Sequence, residues 1–347
     1  MKKSLLALAV AAAIPAAAQA QSNVTLYGIV DTGVEYLNDD AATSGKAGFR
    51  LMDTSATWNG SRFGVRGVEP LGNSGMSAIF GIESRLGVDT GITGGALYTP
   101  TAGSKSDNTQ FWNGLAYVGL RGGFGELTMG RQYTPGFYAW IASDFTANAG
   151  YQNWALIGTP GMSGNASYGA VRADNSVMLT TTMGGLTVRA MAALGEGDLT
   201  SATAAASGNI YGLAGIWQAT KQVTVTGFYH KSDSFTATSM DTSFGVSGKL
   251  DLGTMGLTLG YSNLELHNGN DADVIALSAY LNVGKGKVFA NAHKVDMASG
   301  EVMNLGLSYV HPLSNRTSIY LQGSYADYED YAKGTQTKVA LGLNHKF

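Results

Sequence analysis

VTLYGIVDTGVEYL, residues 24–37, alternates apolar and polar side chains almost without a break. Val24, Leu26, Gly28, Val30 and Val34 fall on one face, with Thr25, Tyr27, Asp31 and Glu35 on the other. A period of two is the mark of a β-strand whose faces meet different surroundings. It returns in 61–69, where Phe63, Val65 and Gly67 oppose Arg62, Gly64 and Arg66. In 76–86, Ala78, Phe80 and Ile82 oppose Gly81, Glu83 and Arg85. The pattern recurs at 257–261, 275–282, 302–311 and 317–327. In 275–282 it sets Ile275, Leu277, Ala279 and Leu281 against Ala276, Ser278, Tyr280 and Asn282.

The links between these segments come in two kinds. Short Gly/Asp/Asn turns stand at 71–75, 122–125, 183–185, 219–222, 252–255, 283–286 and 312–315. Longer polar links stand at 38–60, 87–110, 133–171, 196–208, 232–240, 267–272, 296–301 and 328–335. Counting the strands between them gives sixteen. An even count, with short turns at one rim and long loops at the other, is what a barrel crossing an outer membrane requires. Closure removes the sheet edges that hydrocarbon would not tolerate. Soluble β-sandwiches also alternate, so alternation alone does not separate a lipid-facing wall from a buried core.

The sixteen hairpin-joined strands, a signal peptide and the last residue decide between them. Residues 1–20 read as a secretory signal: Lys2 and Lys3, an apolar run from Leu5 to Ile14, and Ala18-Gln19-Ala20 as the cleavage site. That run is too short to cross a bilayer of ~30 Å as a helix. Without it the chain has 327 residues and 20 Lys+Arg against 25 Asp+Glu, a balance of −5 that does not suggest nucleic acid as a partner. Glycine is abundant (48 of 347), proline scarce (six) and mean hydropathy +0.01, as two averaged wall faces would give. Cysteine is absent, which excludes a disulfide framework and thiol chemistry. The chain ends in TKVALGLNHKF, where Val339, Leu341, Leu343, His345 and Phe347 share a face. A terminal aromatic on the lipid face fits an aromatic girdle.

One stretch breaks the alternation. Residues 133–171 carry several Gly and Pro and no long helical pattern, and arginines flank them at Arg131 and Arg172. A loop of that length in an ordered domain is usually functional. It is expected to fold into the lumen and set what passes; Tyr133, Phe137, Tyr138, Trp140, Phe145, Tyr151 and Trp154 either pack it against the inner wall or line an apolar slide for a sugar. Arg131 is expected to tie its base to the wall.

The segments VTLYGIVDTGVEY (24–36), SRFGVRGVEPLGNSGMSAIFGIES (61–84), AYVGLRGGFGELTMGRQYTP (116–135) and ALGLNHKF (340–347) resemble the Gram-negative general porins of the β-proteobacterial type. The resemblance implies an all-β, sixteen-stranded antiparallel transmembrane barrel with an inward-folded third loop, assembled as a homotrimer among outer-membrane lipid and lipopolysaccharide. It implies that the C-terminal strand, ending at Phe347, addresses the barrel-insertion machinery. It also implies an arginine ladder facing acidic groups of the loop. Carried over, the ladder is Arg62, Arg66 and Arg172, with Arg85 added by parity and Glu83 as a partner. The loop segment 133–171 holds one carboxylate, Asp144, and Gly114 stands where the family often has arginine.

The function implied is passive, weakly charge-selective diffusion of small hydrophilic solutes and ions, with no cofactor. The alternative is a porin selective for a sugar or small organic anion. An enzymatic reading finds little to build on. The histidines (230, 267, 293, 311, 345) have no metal-ligand spacing, and GMSGN at 161–165 lacks the spacing of a nucleophile elbow.

Overall fold

The computed structural model describes residues 23–40, 46–52, 57–93, 111–147, 149–151, 171–195, 209–233, 240–329 and 334–347. The signal at 1–20 and Trp154 lie outside them. The strands are β1 (Asn23–Asp39), β2 (Lys46–Leu51), β3 (Arg62–Pro70), β4 (Ser77–Arg85), β5 (Leu115–Gly122) and β6 (Gly125–Tyr133). A helix, α1 (Pro135–Ser143), comes next. Then follow β7 (Arg172–Met183), β8 (Leu186–Ala193), β9 (Ile210–Gln218), β10 (Val223–Ser232), β11 (Met240–Asp251) and β12 (Met255–Leu266). The last are β13 (Asp271–Val283), β14 (Gly286–Met297), β15 (Gly300–Pro312), β16 (Thr317–Tyr328) and β17 (Gly334–Lys346). All pairings are antiparallel, and β17 pairs with β1 to close the barrel.

Seventeen segments make sixteen staves. Asn23–Ile29 of β1 pairs with β3, whereas Val34–Asp39 pairs with β2. Between them the Met52 N–H donates to the Gly33 carbonyl at 2.8 Å and the Asp31 N–H to the Ser61 hydroxyl at 2.9 Å, so the second stave is interrupted, with an excursion at 57–61 before β3. The reading of 38–60 as one loop is therefore corrected. KAGFRL holds too few alternations, one of them glycine, to stand out as a strand. Its register nonetheless places Phe49 and Leu51 outward with Tyr36 and Val34, and Arg50 inward with Glu35.

The faces divide as the alternation requires. On β13, Ile275, Leu277 and Leu281 are 43–56% exposed, while Ala276, Ser278 and Tyr280 are at most 5% exposed. Leu257, Leu259, Leu305, Leu307, Leu341 and Leu343 continue the outward apolar band. So large an apolar surface is a liability in water but a solvated face in hydrocarbon. No helix among the described residues is long and apolar enough to cross a membrane.

Tight turns close one rim. Gly184 and Gly185, with φ +54° and +84°, form a two-residue hairpin whose left-handed twist glycine alone takes cheaply. The opposite rim is less uniform than expected. The links at 267–272 and 296–301 shrink, because β13 begins at Asp271 and β15 at Gly300, with only two residues between Met297 and Gly300.

The last residue closes the seam. Phe347 donates its N–H to the Gly28 carbonyl at 3.1 Å and accepts the Gly28 N–H at 3.2 Å. Its ring lies where a Cβ on Gly28 would stand, 2.2 Å from Cζ. A glycine at 28 is therefore required by close approach.

The inner wall departs from a uniformly polar lining in several places among the described residues. Ala272, Val274, Ala276, Val295, Met297 and Val302 form an apolar seat on β13–β15, filled by Phe137 and Trp140 of α1. That seat is the molecule's main apolar core.

Candidate functional site

The segment that follows β6 packs against the inner wall through a short, capped helix, α1. Thr134 has extended backbone angles (φ −75°, ψ 158°), and its hydroxyl accepts the Phe137 N–H at 3.2 Å. Pro135 follows at the first helical position, where a missing N–H costs nothing. The wall satisfies the remaining ends. Gly136 N–H donates to His230 Nε2 of β10 at 3.0 Å. Lys249 of β11 donates to the Ala142 carbonyl at 3.2 Å, and Thr258 of β12 donates to Ser143 O at 2.7 Å. A cation at the helix C-terminus also meets the negative end of the dipole.

Aromatic contacts extend the docking around the lumen. The Arg189 guanidinium lies 3.8 Å from the Tyr138 ring centroid. Phe145 packs edge-on to Tyr280, with centroids 4.6 Å apart. Farther on, Gly150 N–H donates to the Trp58 carbonyl at 2.7 Å, and the Tyr151 hydroxyl donates to Glu35. Burial pushes the Tyr138 hydroxyl up to about 12, against the lowering effect of Arg189. Burial, then the bond to Glu35, raises Tyr151 as well, so its phenol remains the donor.

Across from this loop the predicted arginines gather. Arg62 and Arg85 are direct cross-strand partners on β3 and β4, an arrangement that like charges disfavour. Two acceptors offset the repulsion. Glu83 Oε1 accepts from Arg85 Nε at 3.0 Å. The Tyr133 hydroxyl accepts from Arg85 Nη2 at 2.8 Å and from Arg172 Nη2 at 3.1 Å. Arg62 interacts electrostatically with Arg85, Arg172, Tyr133 and Glu83. Arg66 sits apart, its guanidinium 5.3 Å from the Tyr27 ring centroid, while Tyr27 donates to Glu83 Oε2 at 3.2 Å.

Arg62, Arg85, Arg172 and Glu83 thus come together, and Arg66 joins them through Tyr27. Asp144 ends α1, accepts from the Thr146 N–H and hydroxyl at 2.9 Å, and interacts electrostatically with Lys249. Arg131 donates to Asn113 O at 2.9 Å and to Asp174 at 2.6 Å, bridging the strands on both sides of the loop's base. Gly114 has a steric reason. A Cβ there would lie 2.7 Å from Glu83 Oε1, so a side chain at 114 and this Glu83 exclude one another.

Sequence reasoning missed several residues that hold the site. Asp31, 1% exposed, accepts from Tyr320 at 2.7 Å, Asn344 at 2.8 Å and the Asn59 N–H at 2.7 Å. It thereby pins the excursion that presents Trp58 to the loop. Glu35 pairs with Arg50 and receives Tyr151. His230 and Gly136 seat the helix. One signal was available: Thr134-Pro135 is a helix-start dipeptide. Asp31 and His230 carried none, because their partners lie on distant strands.

A family model described as Gram-negative porin matches residues 7–331. The chain is 29% identical, over the full length of both proteins, to outer membrane porin protein 32 of Delftia acidovorans. Among solved structures, an anion-selective porin from Comamonas acidovorans superposes with a TM-score of 0.77 at 24% identity, covering 94% of this chain and 100% of that one. OmpT of Vibrio cholerae in its trimer form superposes with a TM-score of 0.65 at 15% identity, covering 94% and 99%.

Proposed function

This chain belongs to the Gram-negative porin family, a porin of the bacterial outer membrane, and we propose that it is a general diffusion channel whose narrow zone favours small anions. Its family and fold are those of a transport channel. One observation carries the anion preference: Arg62, Arg85 and Arg172 converge on the Tyr133 side of the lumen, with Glu83 the carboxylate paired among them. Walls rich in arginine favour anions. Screening over ~8 Å at physiological salt keeps the preference modest. The superposing porin described as anion-selective supports the sign. In a salt gradient, Arg62→Ala with Arg66→Ala is expected to move the reversal potential toward cations; an unchanged value would remove both residues from the selective zone.

Supporting expectations complete the reading. Residues 1–20 are removed on export. The short-turn rim faces the periplasm. Three copies assemble, as the trimer form of the Vibrio cholerae protein supports, with the apolar band against lipid and lipopolysaccharide. Phe347 addresses the insertion machinery. Its deletion would remove both seam bonds to Gly28 and is expected to reduce the folded channel in outer-membrane fractions severalfold. Wild-type yield would refute that role.

A further inference from the structure

We propose that Tyr133 is the residue that sets how strongly the pore selects by charge, by holding Arg85 and Arg172 on a single phenolic oxygen. This rests on reading the arginine wall as the selective zone. The two guanidiniums come from β4 and β7, elements separated by the long loop, and their mutual repulsion favours splaying into the lumen. A phenolic oxygen has two lone pairs. Both are used here, by Arg85 at 2.8 Å and Arg172 at 3.1 Å.

Arg172 depends on that oxygen more than Arg85 does. Arg85 also has Glu83. Among the described residues, the Tyr133 hydroxyl is the hydrogen-bond acceptor of Arg172, whose Nε is buried without a partner. The Tyr133 ring adds a second contact, 4.6 Å from the Arg172 guanidinium carbon. A hydrogen-bonded charge stays in one place and adds its field at one point; a released one samples several rotamers and spreads it.

Tyr133 is itself held from both sides. Its backbone pairs with Arg172 in the β6–β7 register, and the next residue, Thr134, donates its N–H to Val171 O at 3.1 Å. Its ring stacks on Phe137 of α1 with centroids 4.4 Å apart and planes 21° apart. The loop helix and the arginine pair are therefore mechanically one unit. A movement of the helix that sets the aperture also moves the charges that set the selectivity.

The test is a set of reversal potentials in a potassium chloride gradient across planar bilayers, for full-length Tyr133→Phe, Arg172→Ala and the double variant. Phenylalanine keeps the stack on Phe137 and deletes only the oxygen. The anion-to-cation permeability ratio is expected to fall about twofold in Tyr133→Phe, a modest change because salt screens the wall. The double variant is expected to fall only slightly further than Arg172→Ala, because Arg85 loses the hydroxyl but keeps Glu83. Arg172→Lys keeps the charge without the planar fork and is expected to match Tyr133→Phe. A wild-type ratio in Tyr133→Phe beside a lowered ratio in Arg172→Ala overturns the proposal and leaves the arginine wall standing. Additive shifts overturn it too. If Arg172→Ala and the Arg62/Arg66 pair all keep the wild-type ratio, the wall reading fails and the proposal falls with it.

Discussion

Replacing Asp31 by leucine is expected to destabilise the folded barrel by about 3–9 kcal/mol, at ~1–3 kcal/mol for each of three donors left without an acceptor. The carboxylate receives Tyr320 on Oδ1, and Asn344 and the Asn59 N–H on Oδ2. Leucine accepts from none of them. Asp31→Asn separates charge from geometry: its carbonyl oxygen still serves Tyr320, but its amide nitrogen meets the two donors that Oδ2 served. An intermediate loss is expected for it. Urea titration of barrel refolded into detergent measures both, and a leucine variant within about 1 kcal/mol of wild type would show that hydration replaces these bonds. The same substitution frees the 57–61 excursion, so Trp58 would no longer meet Gly150.

Substituting Gly136 by valine is expected to unseat α1 and change the pore more than any single charge removal. A Cβ at 136 would stand 2.7 Å from His230 Cε1 and 2.8 Å from Phe228 Cδ2. His230, 1% exposed, has no room to yield. Overpacking of this kind costs about 1–3 kcal/mol, and the Gly136 N–H to His230 bond is lost with it. Mean single-channel conductance is expected to rise by about half, with added current fluctuation, as the helix leaves its seat. Wild-type conductance with quiet traces would show that the helix position does not set the aperture.

The alternation made much of the wall legible. A two-residue period needs only local sequence, so Leu26 or Leu277 could be placed outward and Arg62 or Glu83 inward without knowing any partner strand. Parity likewise placed Arg85 in the lumen, though not at the centre of the cluster. Periodicity failed where it was short or masked by glycine, as in KAGFRL, and where a polar link such as 296–301 proved to be mostly strand. Helix α1 went unread because nine residues between Thr134 and Asp144 show little amphipathic contrast: one face meets the wall, and Phe137 and Trp140 cross to the β13–β15 seat.

The site was less legible than the wall. The loop's acid was expected opposite the arginines, but Asp144 terminates α1 beside Lys249. Tyr133 counted as one aromatic among seven, with nothing in its neighbours to mark it as the acceptor shared by Arg85 and Arg172.

By itself, the sequence determined that this chain is a wall of alternating strands, which face meets lipid, and that one long segment belongs neither to wall nor turn. Those are properties of residues one to four positions apart. Closure of the barrel decided the rest. It brought Tyr320 to Asp31 across 289 positions and His230 to Gly136 across 94. Hydrogen bonds reach only about 3 Å, so such partners exist only after sixteen staves have met.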